Sequence, residues 1–219
     1  MDLSFHLQKT LSLGVSSSPN SKINDLKLKV QAMTAESGQP ITNPTRVEVL
    51  CWLLYKSAVA AATTNNNSRF SIPTGINHAV NIRNKMTEAL PNNSIGNRFM
   101  VMKMFTKNQS EMKPEAFIND FRKQKMEFCS IRNIETALGS LSSTSESDLI
   151  ELQGKLDAAY LCSSIPKNPL YDVDFGWGTP LKATVISTPD QDGIEVLVSL
   201  EKKEMAIIQT DPELLAYCR

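Results

Sequence analysis

Histidine is nearly missing from this chain: His6 and His78 are the only two in 219 residues. Acid–base chemistry near neutral pH draws first on imidazole, so few positions are open to it. Net charge is missing as well. Lys plus Arg and Asp plus Glu stand at 23 each, which leaves no field to draw the chain to nucleic acid or to an anionic membrane and sets both aside as partners. The four cysteines, Cys51, Cys129, Cys162 and Cys218, form no Cys-x-x-Cys pair and have no histidine close to them in the sequence. Their spacing predicts no metal site and reads as reduced, mostly buried thiols. Met1 to Ser18 holds one Lys and an apolar run broken by Gln8, Lys9 and Thr10, unlike a secretory signal. No run approaches the length needed to cross a bilayer. The expected location is cytoplasmic, and Asn66-Asn67-Ser68, Asn92-Asn93-Ser94 and Asn108-Gln109-Ser110 read as incidental matches to the glycosylation pattern.

What is present is enough apolar residue, 41%, to build a real core in one domain. Residues 1–21 read as an irregular N-terminal segment that ends in a turn-forming tract, Ser16 to Ser21. From Lys22 to Met33 the spacing of Ile23, Leu26 and Val30 predicts a short amphipathic helix. Thr45-Arg46-Val47-Glu48 fits a capping box, and the run from Val47 to Ala62 is apolar on nearly every face, the mark of a core helix. Strands are predicted around Asn77 to Arg83 and Arg98 to Phe105. Pro114 opens a second long helix with Phe117, Phe121, Phe128 and Ile131 on one face. Leu149, Leu152, Leu156 and Ala159 mark a third. Ala183 to Ser187 and Ile194 to Leu200 flank a tight-turn sequence and predict an antiparallel hairpin. A terminal helix that includes Pro212 to Tyr217 closes the chain. The elements interleave without a strict βαβ repeat, so the expected fold class is α/β, a mixed β-sheet flanked by helices.

Asp174-Phe175-Gly176-Trp177-Gly178, two rigid aromatics held between glycines, precedes a β-like run from Lys182 to Ser187. With Asn43 to Val49, Ala79 to Met86 and Asn93 to Asn97, it makes four blocks in order. In these blocks residues 22–219 resemble the second half of a BAHD acyltransferase, the acyl-CoA-dependent family of plant specialised metabolism that includes vinorine synthase. The resemblance implies the second, chloramphenicol-acetyltransferase-like domain of a two-domain enzyme. In that enzyme an acyl-CoA and an alcohol or amine acceptor meet in a channel between the domains. Acyl-CoA is then a co-substrate, and no tightly bound cofactor is expected. Residues 1–21 do not match what precedes this half in the family, which implies an altered start or a splicing scar.

The family's catalytic histidine stands in a His-x-x-x-Asp motif of the first domain. Here Thr10 stands four residues beyond His6 and Ile82 four beyond His78, so neither forms the motif and no catalytic residue is assigned; His78 reads as an ordinary strand-end histidine. By resemblance Asp174 points away from the channel and pairs with Arg46, tying the signature loop to the core helix. The Trp177 indole could donate to a thioester oxygen as charge develops there, or simply pack on the loop. Asn81, Arg83, Ser187 and Thr188 are candidates for contact with CoA; Arg83 could equally be a solvated strand-end charge.

Asp174-Phe175-Gly176 is also the magnesium-binding triplet of protein kinases. No His-Arg-Asp precedes it and no glycine-rich phosphate loop opens the chain, so that reading fails. Nothing in the spacing supports a cysteine hydrolase. Two readings stand: an acyl-CoA-dependent O-acyltransferase present as its C-terminal half and inactive alone, or a non-catalytic binding or regulatory protein that keeps the fold. Either would leave a partly apolar domain face uncovered, which implies self-association or a partner protein.

Overall fold

The computed structural model describes residues 11–65, 74–81, 99–106, 112–129, 158–163 and 192–218. Strand β1 (Leu11–Pro19) leads into helix α1 (Asn20–Glu36) and α2 (Arg46–Asn65). Strands β2 (Thr74–Asn81) and β3 (Phe99–Thr106) follow, then α3 (Pro114–Cys129), β4 (Ala158–Ser163) and β5 (Gly193–Glu201). Two short helices, α4 (Lys202–Ile208) and α5 (Pro212–Tyr217), come last. β1 pairs antiparallel with β5, while β3, β2 and β4 form a second sheet in which β2 is antiparallel to β3 and parallel to β4. The class is the expected one, α/β with mixed pairing and flanking helices.

Helix α2 organises the interior. The backbone N–H of Thr45 donates to Glu48 Oε2 at 2.8 Å and the Glu48 N–H donates to Thr45 Oγ1 at 3.3 Å, the reciprocal capping box that the sequence predicts. Beyond it Val49 to Leu53, Tyr55, Ala58, Val59 and Ala61 are all buried, so the helix is sunk on nearly every side. By length and composition alone the stretch Arg46–Thr64 could cross a membrane, which corrects the expectation that no run approaches that length; 61% of it is buried inside the protein, as a core helix requires.

The β2–β3 hairpin fits its register to this helix. Period-two alternation in β3 buries Met100, Met102, Met104 and Thr106, and Thr74 lies opposite Thr106. Both threonine hydroxyls reach Tyr55 Oη, at 2.6 and 3.1 Å. That contact pins the open end of the hairpin to α2.

Three stretches depart from the sequence reading. The segment expected to be irregular supplies β1, because the alternation of Leu11, Leu13 and Val15 is a strand pattern and β5 completes the ladder despite the serine run. At its end Pro19 faces Gly193, where an added Cβ would lie 2.5 Å from the Ser18 carbonyl oxygen; only glycine admits so close an approach. Ala159, read as helical, stands in β4, where the β-favouring Tyr160 and the parallel ladder to β2 prevail. Helix α4 follows β5 with no glycine or proline between them, so no punctuation announced it. Of the hairpin expected around residues 189–193, residues 183–187 lie outside the described residues; the described partner of β5 is β1.

The C-terminus is tied down by charge. Asp211 caps α5 by accepting from the Glu213 and Leu214 N–H groups and takes a 2.7 Å hydrogen bond from Ser57 Oγ. Glu213 accepts from Lys29 at 2.9 Å and Lys56 at 2.6 Å, joining α5 to α1 and α2. Partial burial works to raise the Glu213 pKa, but the hydrogen bonds and charges of Lys56 and Lys29 outweigh it and hold the carboxyl below its ordinary value. A carboxyl depressed by folding contributes stability above its unfolded pKa and loses it as pH falls through the folded one. Glu213→Gln is therefore expected to lower stability at pH 7 by about 1 kcal/mol, a small value because the lysines are partly solvated. The difference from wild type should close below about pH 4; urea denaturation at pH 7 and pH 3 checks both limbs.

Candidate functional site

Two clusters of polar chemistry stand out among the described residues. The first is a groove of about 330 Å³ lined by Lys27, Gln31, Asn43, Pro44, Thr45 and Arg46. It lies where α1 passes the first turn of α2. Asn43 holds a positive φ of 45°, a conformation that asparagine tolerates better than most residues, and Pro44 follows it into the capping box. Arg46 Nη1 donates to Asn20 Oδ1 at 3.2 Å, and Asn20 Nδ2 donates in turn to Asp192 Oδ1 at 3.3 Å. Two cations, two side-chain amides and the positive end of a 20-residue helix make this groove suited to an anion.

The buried charge beneath it is Glu48, 2% exposed. Arg122 from α3 grips it as a fork, Nε to Oε1 at 3.2 Å and Nη2 to Oε2 at 3.1 Å. The same Nη2 donates to the carbonyl oxygens of Thr42 and Asn43 at 3.1 and 3.3 Å. The guanidinium thus fixes the loop that shapes the groove as well as neutralising the carboxylate.

The second cluster surrounds His78. This residue is not at a strand end: it is the fifth of the eight residues of β2, 3% exposed, with its ring 5.2 Å from that of Phe121. Cys162 is its register partner across the parallel β2–β4 pair, and Cys51 reaches in from α2 with Sγ 3.9 Å from His78 Nδ1 and 3.4 Å from Cys162 Sγ. Chain spacing hid this convergence, since Cys51 and Cys162 are 111 positions apart. The hydrogen bond with Cys51 holds the Cys162 thiol well below its ordinary value against its burial, with help from His78. The same bond and burial push Cys51 well up.

Of the residues singled out in the sequence, Arg46 lies on the groove and Asn81 stands exposed at the end of β2. His6, Arg83, Asp174, Phe175, Gly176, Trp177, Gly178, Ser187 and Thr188 lie outside the described residues, and with them the expected Asp174–Arg46 pair. Lys27, Glu48 and Arg122 were not singled out as site residues.

Comparison with known proteins is consistent in one direction. The model of the Transferase family matches residues 7–215, reaching into the segment that the sequence reading set apart. The chain is 35% identical over 214 residues to 17,18-epoxy-17-hydroxycur-19-ene N-malonyltransferase of Strychnos nux-vomica, covering 90% of this chain and 44% of that protein. Against akuammiline synthase 1 of Alstonia scholaris the identity is 33% over 200 residues, with 86% and 46% covered. Among solved structures, vinorine synthase superposes with a TM-score of 0.68 at 20% identity, over 94% of this chain and 48% of that one. TRI101 of F. graminearum, complexed with coenzyme A and deoxynivalenol, superposes with a TM-score of 0.71 at 19% identity, over 97% and 50%. These two show the shared fold. The chain spans about half the length of the curated relatives it matches, and with the family model matched over 7–215 it belongs to the Transferase family, the BAHD acyltransferases.

Proposed function

We propose that this chain is the C-terminal half of an acyl-CoA-dependent O-acyltransferase of plant specialised metabolism, forming one wall of the channel in which a CoA thioester meets an alcohol or amine acceptor. The observation that carries the reading is the family match over nearly the whole chain at about half the length of its relatives. The cationic groove supports it, because a donor rich in phosphate needs cations at a channel mouth. Lys27 and Arg46 present two, on α1 and α2, which the Arg46–Asn20 hydrogen bond joins beside the groove. In this reading Trp177 supplies the oxyanion donor and Asp174 anchors the signature loop, while the base that takes the acceptor proton comes from outside the chain. The cytoplasmic location expected from composition belongs to the same proposal.

Coenzyme A itself tests the groove. Calorimetric titration of the purified chain is expected to show binding that weakens roughly tenfold in Lys27→Ala and in Arg46→Ala, the cost of one lost charge-assisted phosphate contact. Affinity unchanged in both variants would remove the groove from the donor site.

The runner-up is a non-catalytic protein that keeps the fold. The burial of His78 beside Phe121, Cys51 and Cys162 favours it, since a histidine 3% exposed presents little surface to a substrate hydroxyl.

A further inference from the structure

Cys51, His78 and Cys162 offer one ligand atom each, all within 4.8 Å of one another. Metal–sulfur and metal–nitrogen bonds of about 2.3 and 2.0 Å place tetrahedral ligands about 3.5–3.8 Å apart. Of these, two sulfurs want about 3.8 Å and a sulfur–nitrogen pair about 3.5 Å; the observed 3.4 Å between the sulfurs and 3.9 Å from Cys51 Sγ to His78 Nδ1 each lie within about 0.4 Å of those separations. We propose that these three residues form a binding site for a single zinc ion.

The scaffold is a rigid one. His78 and Cys162 face each other across a parallel ladder, which sends both side chains to one face of the sheet. Cys51 projects onto that face from α2, the most deeply buried helix among the described residues. Phe121 bounds the imidazole. No loop closure is needed to bring the donors together, so little ordering entropy opposes metal binding.

Charge selects the ion. Two thiolates and a neutral imidazole around Zn²⁺ sum to zero, the charge state that burial penalises least. A cuprous ion in the same ligand set would leave a net negative charge in a buried site. Sulfur ligands disfavour magnesium and calcium, which take oxygen. The partial exposure of Cys162 gives the ion a way in. With three protein ligands the fourth position is left to water.

The test uses the whole purified chain, reduced with a phosphine and titrated with Zn²⁺ against a chromophoric chelator, then with Co²⁺ as a spectroscopic substitute. The expected result is one zinc per chain. Co²⁺ should give a thiolate-to-metal charge-transfer band with tetrahedral d–d absorption. Cys162→Ser, whose fold is checked by circular dichroism, should bind zinc at least about a hundredfold more weakly, exceeding the usual loss from an outer-shell change. Four results would overturn the proposal: substoichiometric zinc, a cobalt spectrum without the thiolate band, unchanged affinity in a folded Cys162→Ser, or stoichiometric uptake of Cu⁺ but not of zinc. The cobalt spectrum needs no variant, so a Cys51→Ser or His78→Ala chain that fails to fold leaves the test intact.

Discussion

Trp52→Ala is expected to destabilise the fold by about 4 kcal/mol. The indole is fully buried in the second turn of α2, and its Nε1–H donates to the Met112 carbonyl oxygen at 2.9 Å, tying α2 to the turn that opens α3. Truncation removes the ring from the core, leaves a cavity that a sunken helix cannot collapse around, and strands the Met112 carbonyl away from its donor. Trp52→Phe separates these contributions. It keeps most of the apolar volume and loses the donor, so it should cost about 1–2 kcal/mol. Urea denaturation with an unchanged slope and a shifted midpoint is the measurement. A loss below about 1 kcal/mol for Trp52→Ala would mean that α2 is not the centre of the core.

Arg122→Ala is expected to cost about 3 kcal/mol, the lower end of the range for breaking a buried ion pair, because the guanidinium is itself 31% exposed. The loss falls on Glu48, left buried with the Thr45 N–H as its remaining described donor, and on the loop carbonyls of Thr42 and Asn43. Arg122→Lys should recover part of this, since a point charge cannot reproduce the fork. A double-mutant cycle with Glu48→Gln isolates the pair: neutralising Glu48 should relieve much of the penalty of removing Arg122, giving a double variant less destabilised than the sum. Additive losses would show that the two side chains act independently. CoA affinity should fall alongside stability, because the loop that Arg122 holds is one wall of the groove.

The sequence was most legible where the physics is local. The capping box at Thr45 and Glu48 is a contact between residues three apart, and the apolar run after it can be satisfied only inside a core. The alternation Met100, Met102, Met104 likewise settles which face of β3 is buried. Where structure depends on a distant partner, the reading failed. Leu11–Pro19 is a strand because β5 returns to pair with it, and Ala159 is extended because β2 lies beside it; neither partner is visible from the stretch itself. The site divides the same way. Arg46 was reached through a local motif, whereas Arg122 meets Glu48 across 74 positions and carries no signal beyond its place on an amphipathic helix. Cysteine spacing, which finds metal sites built on one loop, passes over a site assembled from a helix and two strands.

The central claim is that this chain supplies a wall for thioester chemistry and no catalytic imidazole. It is tested most directly by the release of free CoA thiol from acetyl-CoA by the purified chain, measured across a panel of alcohol acceptors. The account predicts no release above the rate in buffer, with any acceptor and at any pH from 6 to 9, the range about the imidazole pKa in which a histidine base would act. Turnover that is present in the chain alone and abolished in a folded variant of His78 or His6 would contradict it.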